Sequence, residues 1–275
     1  MVLTLNFNSG YNYNNSLYYN MKATINSISI LFLLLCVYNN NNASKTNIKE
    51  VLIPKNVNDS IIKIDYTNYN ILLKNHVSNL GIVNYKGFIK DKKIFISFLS
   101  ELSKNTPNLT WSKEKKIAYW MNVYNAFTIK LIIDNYPLKS IKEIKKPWDL
   151  LFIKIGKKHY SLNDIEHNIL RKMNDPRIHF GINCASYSCP PLQNKAFREL
   201  TVNDDLDTLT SQFINDKNRN IISEQSIILS KIFKWFSKDF KKNGNLINYL
   251  NKYSNISIES SAKKSFKNYN WSLNE

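Results

Sequence analysis

Glycine and proline are scarce in this chain, at 6 and 7 of 275 residues. That rules out a collagen-like sequence or a flexible Gly/Pro-rich linker protein. No heptad persists and no internal repeat occurs, which excludes coiled coil and solenoid. Arginine is nearly absent among the basic residues: of 38 Lys and Arg, only Arg171, Arg177, Arg198 and Arg219 are Arg. Phosphate readers favour the arginine fork, and no basic block is interleaved with aromatics, so no nucleic-acid partner is expected. The chain also lacks a Gly-rich phosphate loop, a Cys-x-x-Cys and a His-Glu-x-x-His. No cofactor and no metal are expected on those grounds.

What is abundant is Lys, Asn, Ile and Tyr, the residues of AT-rich codons. The formal charge of +17 therefore reads as a solvated Lys-rich surface, with an anionic partner as the sharper alternative. A hydrophobic fraction of 43% and an aromatic fraction of 13% are enough for one sizeable core.

No apolar run reaches the roughly 20 residues that span a bilayer. The longest, Ile28 to Tyr38, follows Met21-Lys22 and precedes Asn39–Asn42 and Ala43-Ser44. A short charged start, an apolar stretch and small residues are the parts of a secretory leader. We expect an upstream extension over 1–20, a signal peptide over 21–43, a linker over 44–60 and one domain over 61–275. The protein is expected to be exported, to the periplasm, the cell envelope or the medium. Leu34-Leu35-Cys36 is a loose lipobox, so the membrane enters only through the leader or a lipid anchor at Cys36.

Apolar periodicity predicts helices over Thr67–Val77, from Asp91 to before Pro107, and from Ser112 to Asn135. The last is apolar almost all round (Ile117, Trp120, Met121, Val123, Tyr124, Phe127, Leu131, Ile132) and should be the buried central helix. Phe152–Leu162, with Gly156-Lys157 at its middle, predicts a β-hairpin. Asn163, with Glu166 three residues on, reads as a capping box. Ile178–Asn183 reads as a strand and 184–191 as a loop. Helices over Asp204–Ile214, Ile232–Phe240 and Leu246–Tyr253 and a strand at Ile227–Leu229 complete the pattern. Without a βαβ rhythm the class is α+β: a single domain with a buried central helix packed on a small mixed or antiparallel sheet.

The scarce residue types fall together. Three of the four His (His159, His167, His179), both remaining Cys (Cys184, Cys189), two of the four Arg (Arg171, Arg177) and three Pro (Pro176, Pro190, Pro191) lie within one stretch. Beyond His159 it reads Leu162-Asn-Asp-Ile-Glu166-His167, then Asp175-Pro-Arg177-Ile-His179, then Asn183-Cys184-Ala-Ser186-Tyr-Ser188-Cys189-Pro190-Pro191. Together with Trp120-Met-Asn122-Val-Tyr124-Asn125-Ala126 and Tyr269-Asn-Trp271-Ser-Leu, it resembles the exported bacterial proteins of the family "domain of unknown function 547". The resemblance spans about residues 65–273. It implies no established activity, and it singles out Asn122 and Asn125, which an Asn-rich chain would not. Asn270 stands where the pattern leads one to expect Asp.

Three readings of the stretch compete. In the first, Cys184 is a nucleophile whose thiolate needs a base or cation nearby; His179 or His167 serve as base, and Glu166, Asn122 or Asn125 as orienter. Tyr124, Asn122, Asn125, Arg171, Arg177 and Ser188 would bind substrate. An exported thiol enzyme of this kind suggests an amide-bond hydrolase or transferase acting on a peptide or cell-envelope substrate. In the second, the block is a structural polar network around a loop or a Cys184–Cys189 disulfide. Arg171 and Arg177 would then pair with Glu166 and Asp175, and His179 with backbone carbonyls. The protein would be a non-catalytic envelope binding or interaction module. The third is a metal site from Glu166, His167, His179, Cys184 and Cys189, which lacks any recognised ligand spacing.

Overall fold

Three amphipathic helices lead into one long apolar helix. The computed structural model describes residues 64–275, so the extension, leader, linker and Cys36 all lie outside the described residues. The first helices are α1 (Thr67–His76), α2 (Tyr85–Lys90) and α3 (Lys92–Lys104). In α3, Phe95, Phe98, Leu99 and Leu102 are buried, the i, i+3, i+4, i+7 stripe of a core-facing helix. Ile94, one position before the stripe begins, is exposed. The six residues of α2 carry less than two turns of apolar periodicity, too few to predict a helix from the sequence.

The long helix, α4 (Lys113–Asp134), begins at a polar cap. Ser112 Oγ accepts from the Lys115 backbone N–H at 3.0 Å, satisfying a donor that the helix itself cannot. From Ile117 to Ile133 it is buried on nearly every side, with Trp120 and Tyr124 7% and 1% exposed. It is the central helix the composition predicts.

Two small sheets complete the α+β architecture. The predicted hairpin is β1 (Ile153–Ile155) and β2 (Lys158–Tyr160), antiparallel with Ile153 opposite Tyr160. Gly156 turns it at φ 58°, a conformation glycine adopts without a Cβ penalty. Tyr160 meets Trp120 of α4 edge-on at 5.4 Å, so the central helix lies against the hairpin. The second sheet is mixed: β3 (Ile221–Ile222) pairs antiparallel with β4 (Ser226–Leu229), and β4 parallel with β5 (Lys263–Phe266).

The segment after the hairpin departs from expectation twice. A π-helix occupies Asp164–Leu170, and its cap is Ser161 rather than Asn163. Ser161 N–H donates to Asp164 Oδ2 at 2.9 Å and the Asp164 N–H to Ser161 Oγ at 3.0 Å, a reciprocal capping box two residues upstream of the one expected. Glu166 is thereby free to turn inward, and it is buried. Further on, Ile178–Gly181 is a short helix, α5, and not a strand. Pro176 and the Asp175–Arg177 turn start it, and packing against α4 overrides the β-propensity of Ile and Phe. Gly181 makes that approach feasible: a Cβ there would meet Met121 Cε at 1.9 Å.

The rest is α6 (Val202–Asn215), α7 (Ile232–Trp235), α8 (Ser237–Phe240) and α9 (Leu246–Leu250). Two apolar clusters result. One surrounds α4; the other gathers Phe180, Phe213, Phe233 and Phe240 under the mixed sheet. Among the described residues no helix is long and apolar enough to cross a membrane.

Candidate functional site

The loop after α5 is fixed at both ends by carboxamides. Asn125 of α4 donates through Nδ2 to the Gly181 carbonyl (2.8 Å) and accepts through Oδ1 from the Asn183 N–H (2.9 Å). Asn183 in turn donates to the Pro190 carbonyl (2.8 Å) and accepts from the Ala185 N–H (2.8 Å), closing the loop on itself. Ala185 sits at φ 59°, the left-handed region that non-glycine residues rarely enter, directly after Cys184. Asn122 acts likewise on Phe197, donating to its carbonyl at 2.9 Å and accepting from its N–H at 3.0 Å. Both α4 asparagines, expected to bind substrate or orient a base, thus spend their polar atoms on backbone. Buried carboxamides must be paired somewhere, and here the chain itself supplies the partners.

The carboxyl-terminal segment lies along this loop. Tyr187 N–H donates to the Ser272 carbonyl at 2.7 Å and Ser188 N–H to that of Asn270 at 3.2 Å. Ser188 Oγ accepts from the Asn270 N–H at 2.9 Å, so Ser188, another expected binding residue, ties two segments together. Asn270 Oδ1 accepts from the Ser272 N–H at 2.9 Å. An Asp oxygen would accept the same bond, so the departure at 270 leaves this turn intact.

That pairing delivers Tyr269 to the sulfur. Cys184 Sγ is 3.4 Å from Tyr269 Oη and 3.2 Å from Ser186 Oγ, while the Cys184 N–H donates to Cys189 Sγ at 2.9 Å. Both cysteines are free thiols, Cys184 partly exposed and Cys189 buried. The hydrogen bond from the Cys189 thiol is the main influence holding Cys184 down to about 7; burial opposes it, and Ser186 and Tyr269 assist. Burial, then the neighbouring Cys184, pushes the Cys189 thiol well up.

A chain of ionisable groups lines the facing wall. Burial pushes Glu166 up to about 7, with the Cys184 charge adding and Tyr124 and Arg171 opposing. Tyr124 Oη donates to Glu166 Oε2 at 3.2 Å, and Glu166 Oε1 lies 3.9 Å from His179 Nδ1. On its other side His179 Nε2 bonds Asp239 Oδ2 at 2.8 Å, and the ring stacks on Phe236 at 3.9 Å. Burial holds His179 below the ordinary imidazole value, against the pull of Asp239. Asp239 also takes a two-pronged bond from Arg171, through Nε (2.6 Å) and Nη2 (2.9 Å). Burial would raise its carboxyl, but these partners hold it well below the usual range. Arg171 reaches on to His167 Nδ1 at 3.1 Å, and burial with that cation lowers His167.

Cys184, Glu166, His167, His179 and Tyr124 all line one cleft of about 200 Å³. The rest of its wall is largely aromatic: Trp148, Trp235, Phe236, Tyr269 and Trp271. Arg171 stands behind this wall and pairs with Asp239 instead of the expected Glu166. Arg177 lies apart from the cleft. It pairs with Asp175 at 2.7 Å, as the structural reading has it, and also with Asp207 at 2.9 Å. His179 satisfies a carboxylate, not backbone carbonyls. The residue that orients it, Asp239, is marked in the sequence only as the sole acid between Glu224 and Glu259. Among the described residues, no three His, Cys, Asp or Glu side chains are placed to hold a metal ion together.

Fold and site together define an α+β domain that carries a partly exposed thiol in an aromatic cleft beside a buried carboxyl–imidazole–carboxylate chain. Residues 108–214 match the model of a family described as "Protein of unknown function, DUF547". The match takes in α4, the hairpin, the π-helix and the cysteine loop; the Tyr269–Leu273 segment lies outside it. No curated protein matches the chain, and no solved structure does.

Proposed function

We propose that the protein is a thiol-dependent enzyme of acyl transfer, an amide-bond hydrolase or transferase with Cys184 as nucleophile. The observation that carries the reading is a sulfur held by Cys189, Ser186 and Tyr269 in the cleft that Glu166 also lines. A thiolate stabilised by hydrogen bonds is populated at neutral pH and attacks carbonyl carbon. Glu166, ionising near the same pH, is the acid that protonates the leaving group, and afterwards the base that activates water. His179, 3.9 Å from the Glu166 carboxyl, is fixed by Asp239 and the Phe236 ring and steadies the charge that Glu166 carries between the two steps. Tyr124 keeps the carboxyl oriented.

The aromatic walls fit an apolar or flat portion of the substrate. The apolar run behind Met21-Lys22 supports export, and a peptide or cell-envelope amide as the substrate. The alternative is a non-catalytic envelope binding module, favoured by the commitment of His179 Nε2 to Asp239 rather than to the sulfur.

An activated ester separates the two. With p-nitrophenyl acetate the reduced protein should release a stoichiometric burst of p-nitrophenolate and carry one acetyl group on Cys184. C184S should lose the burst, and E166Q should retain it while slowing release of the acetyl group. Absence of a burst, or acetyl groups spread over lysines, would overturn the enzyme reading in favour of the binding module.

A further inference from the structure

The second cysteine forms no bond to substrate in the acyl chemistry, yet it lies against the first. Its Sγ accepts the Cys184 backbone N–H at 2.9 Å. The loop geometry enforces this meeting. Cys189 N–H turns back to the Ser186 carbonyl at 3.0 Å. Arg219 grips the loop from outside through the Tyr187 and Cys189 carbonyls, at 2.9 and 3.2 Å. Both sulfurs border the cleft, but Cys184 is partly exposed while Cys189 is 4% exposed. An oxidant entering the cleft therefore meets the more exposed Cys184 sulfur first, with the second held beside it.

We propose that Cys184 and Cys189 form a peroxide-sensitive pair, in which Cys184 is oxidised and Cys189 resolves it as a disulfide that shuts the site. In the first step the Cys184 thiolate attacks one oxygen of a hydroperoxide. A sulfur–oxygen bond forms, the oxygen–oxygen bond breaks, and the departing oxygen takes a proton to leave as water or an alcohol. In the second, the Cys189 sulfur attacks the Cys184 sulfenic acid. The sulfur–sulfur bond forms, the sulfur–oxygen bond breaks, and hydroxide leaves as water with the Cys189 proton. The peroxide gains two electrons and the two thiols lose them. A dithiol reductant reverses the bridge by exchange. That the bridge silences a nucleophile rests on the acyl-transfer reading; that the bridge forms does not.

The test uses the full chain, reduced and freed of reductant, with one equivalent of hydrogen peroxide and then a maleimide quench. Mass spectrometry should show loss of two hydrogens and a linked peptide joining Cys184 to Cys189, reversed by dithiothreitol. C189S should instead gain one oxygen at Cys184, trapped by dimedone, and C184S should stay unmodified at the same dose. Should C189S fail to fold, the linked wild-type peptide decides alone. Wild-type protein that accumulates sulfinic acid at Cys184 with no linked peptide, or that reacts no faster than a free thiol, overturns the proposal. The p-nitrophenyl acetate burst, measured on the same reduced sample, reports separately on the acyl reading.

Discussion

Two polar regions flank the loop 183–190 and meet the demands of burial in opposite ways. On the α4 side, Asn122 and Asn125 are uncharged, buried and paired at both ends to backbone groups. On the cleft side, Cys184, Glu166, His179 and Asp239 can all ionise; His179 bonds Asp239, while Glu166 bonds Tyr124 and Cys184 lies beside Ser186 and Tyr269. Their match is incomplete, since Glu166 Oε1 stops 3.9 Å from His179 Nδ1. A saturated carboxamide fixes the chain and has nothing left to offer a ligand. A set of groups poised between charge states, with one face open, can move protons. The difference separates residues that build a site from residues that act in it, although one stretch of sequence supplies both kinds.

The largest expected effect lies in the helix beneath both regions. Trp120→Ala or Tyr124→Ala should cost about 3–5 kcal/mol by denaturant unfolding, through lost burial and the cavity left behind. Unchanged stability in both would remove the floor on which the comparison stands. Next comes Asn125→Ala, which strands the buried Gly181 carbonyl and Asn183 N–H. Two unpaired groups should together cost about 2–4 kcal/mol. A variant as stable as wild type would mean that the carboxamide does not fix the loop.

On the cleft side the effects are smaller and depend on pH. Asp239→Asn keeps the shape but weakens the bonds to Arg171 and His179, a loss of about 1–3 kcal/mol near neutral pH. The folded carboxyl titrates below its unfolded value. Its stabilising contribution is therefore present above the ordinary carboxylate pKa and is lost as pH falls through the folded one. Wild type and variant should converge in acid, and a gap that widened there would contradict the assignment. Glu166 runs the other way. Raised from 4.5 to about 7, it favours folding fully below 4.5 and loses that favour as pH rises through 7. Glu166→Gln should abolish this fall, so its stability relative to wild type should rise between acid and neutral pH. Parallel curves would show a carboxyl in ordinary surroundings.

Much of this was legible in the sequence, because scarce residue types stand out against a background of Lys, Asn and Ile. The gathering of His167, His179 and Cys184 with Glu166 followed from their crowding between 159 and 189, and the burial of Trp120 and Tyr124 from an apolar helix without a polar face. Three things were not. The roles of Asn122 and Asn125 depend on which backbone groups α5 and the following loop present, and α5 itself has strand-like composition. The reach of Asp239 to His179 crosses sixty residues of chain, and no local spacing encodes it. The aromatic wall of Trp148, Trp235 and Phe236 is assembled from separate segments that look like ordinary core.

The central claim is that Cys184 is held ready as a thiolate while Cys189 is kept protonated. The rate of iodoacetamide alkylation at each cysteine, followed peptide by peptide from pH 5 to 10 on the reduced protein, measures it directly. The account predicts that Cys184 reacts first, with a midpoint at about 7, and that Cys189 lags with a midpoint well above the ordinary thiol range. A Cys184 midpoint at the free-thiol value of about 8.5, or a Cys189 that reacts as fast, would contradict it.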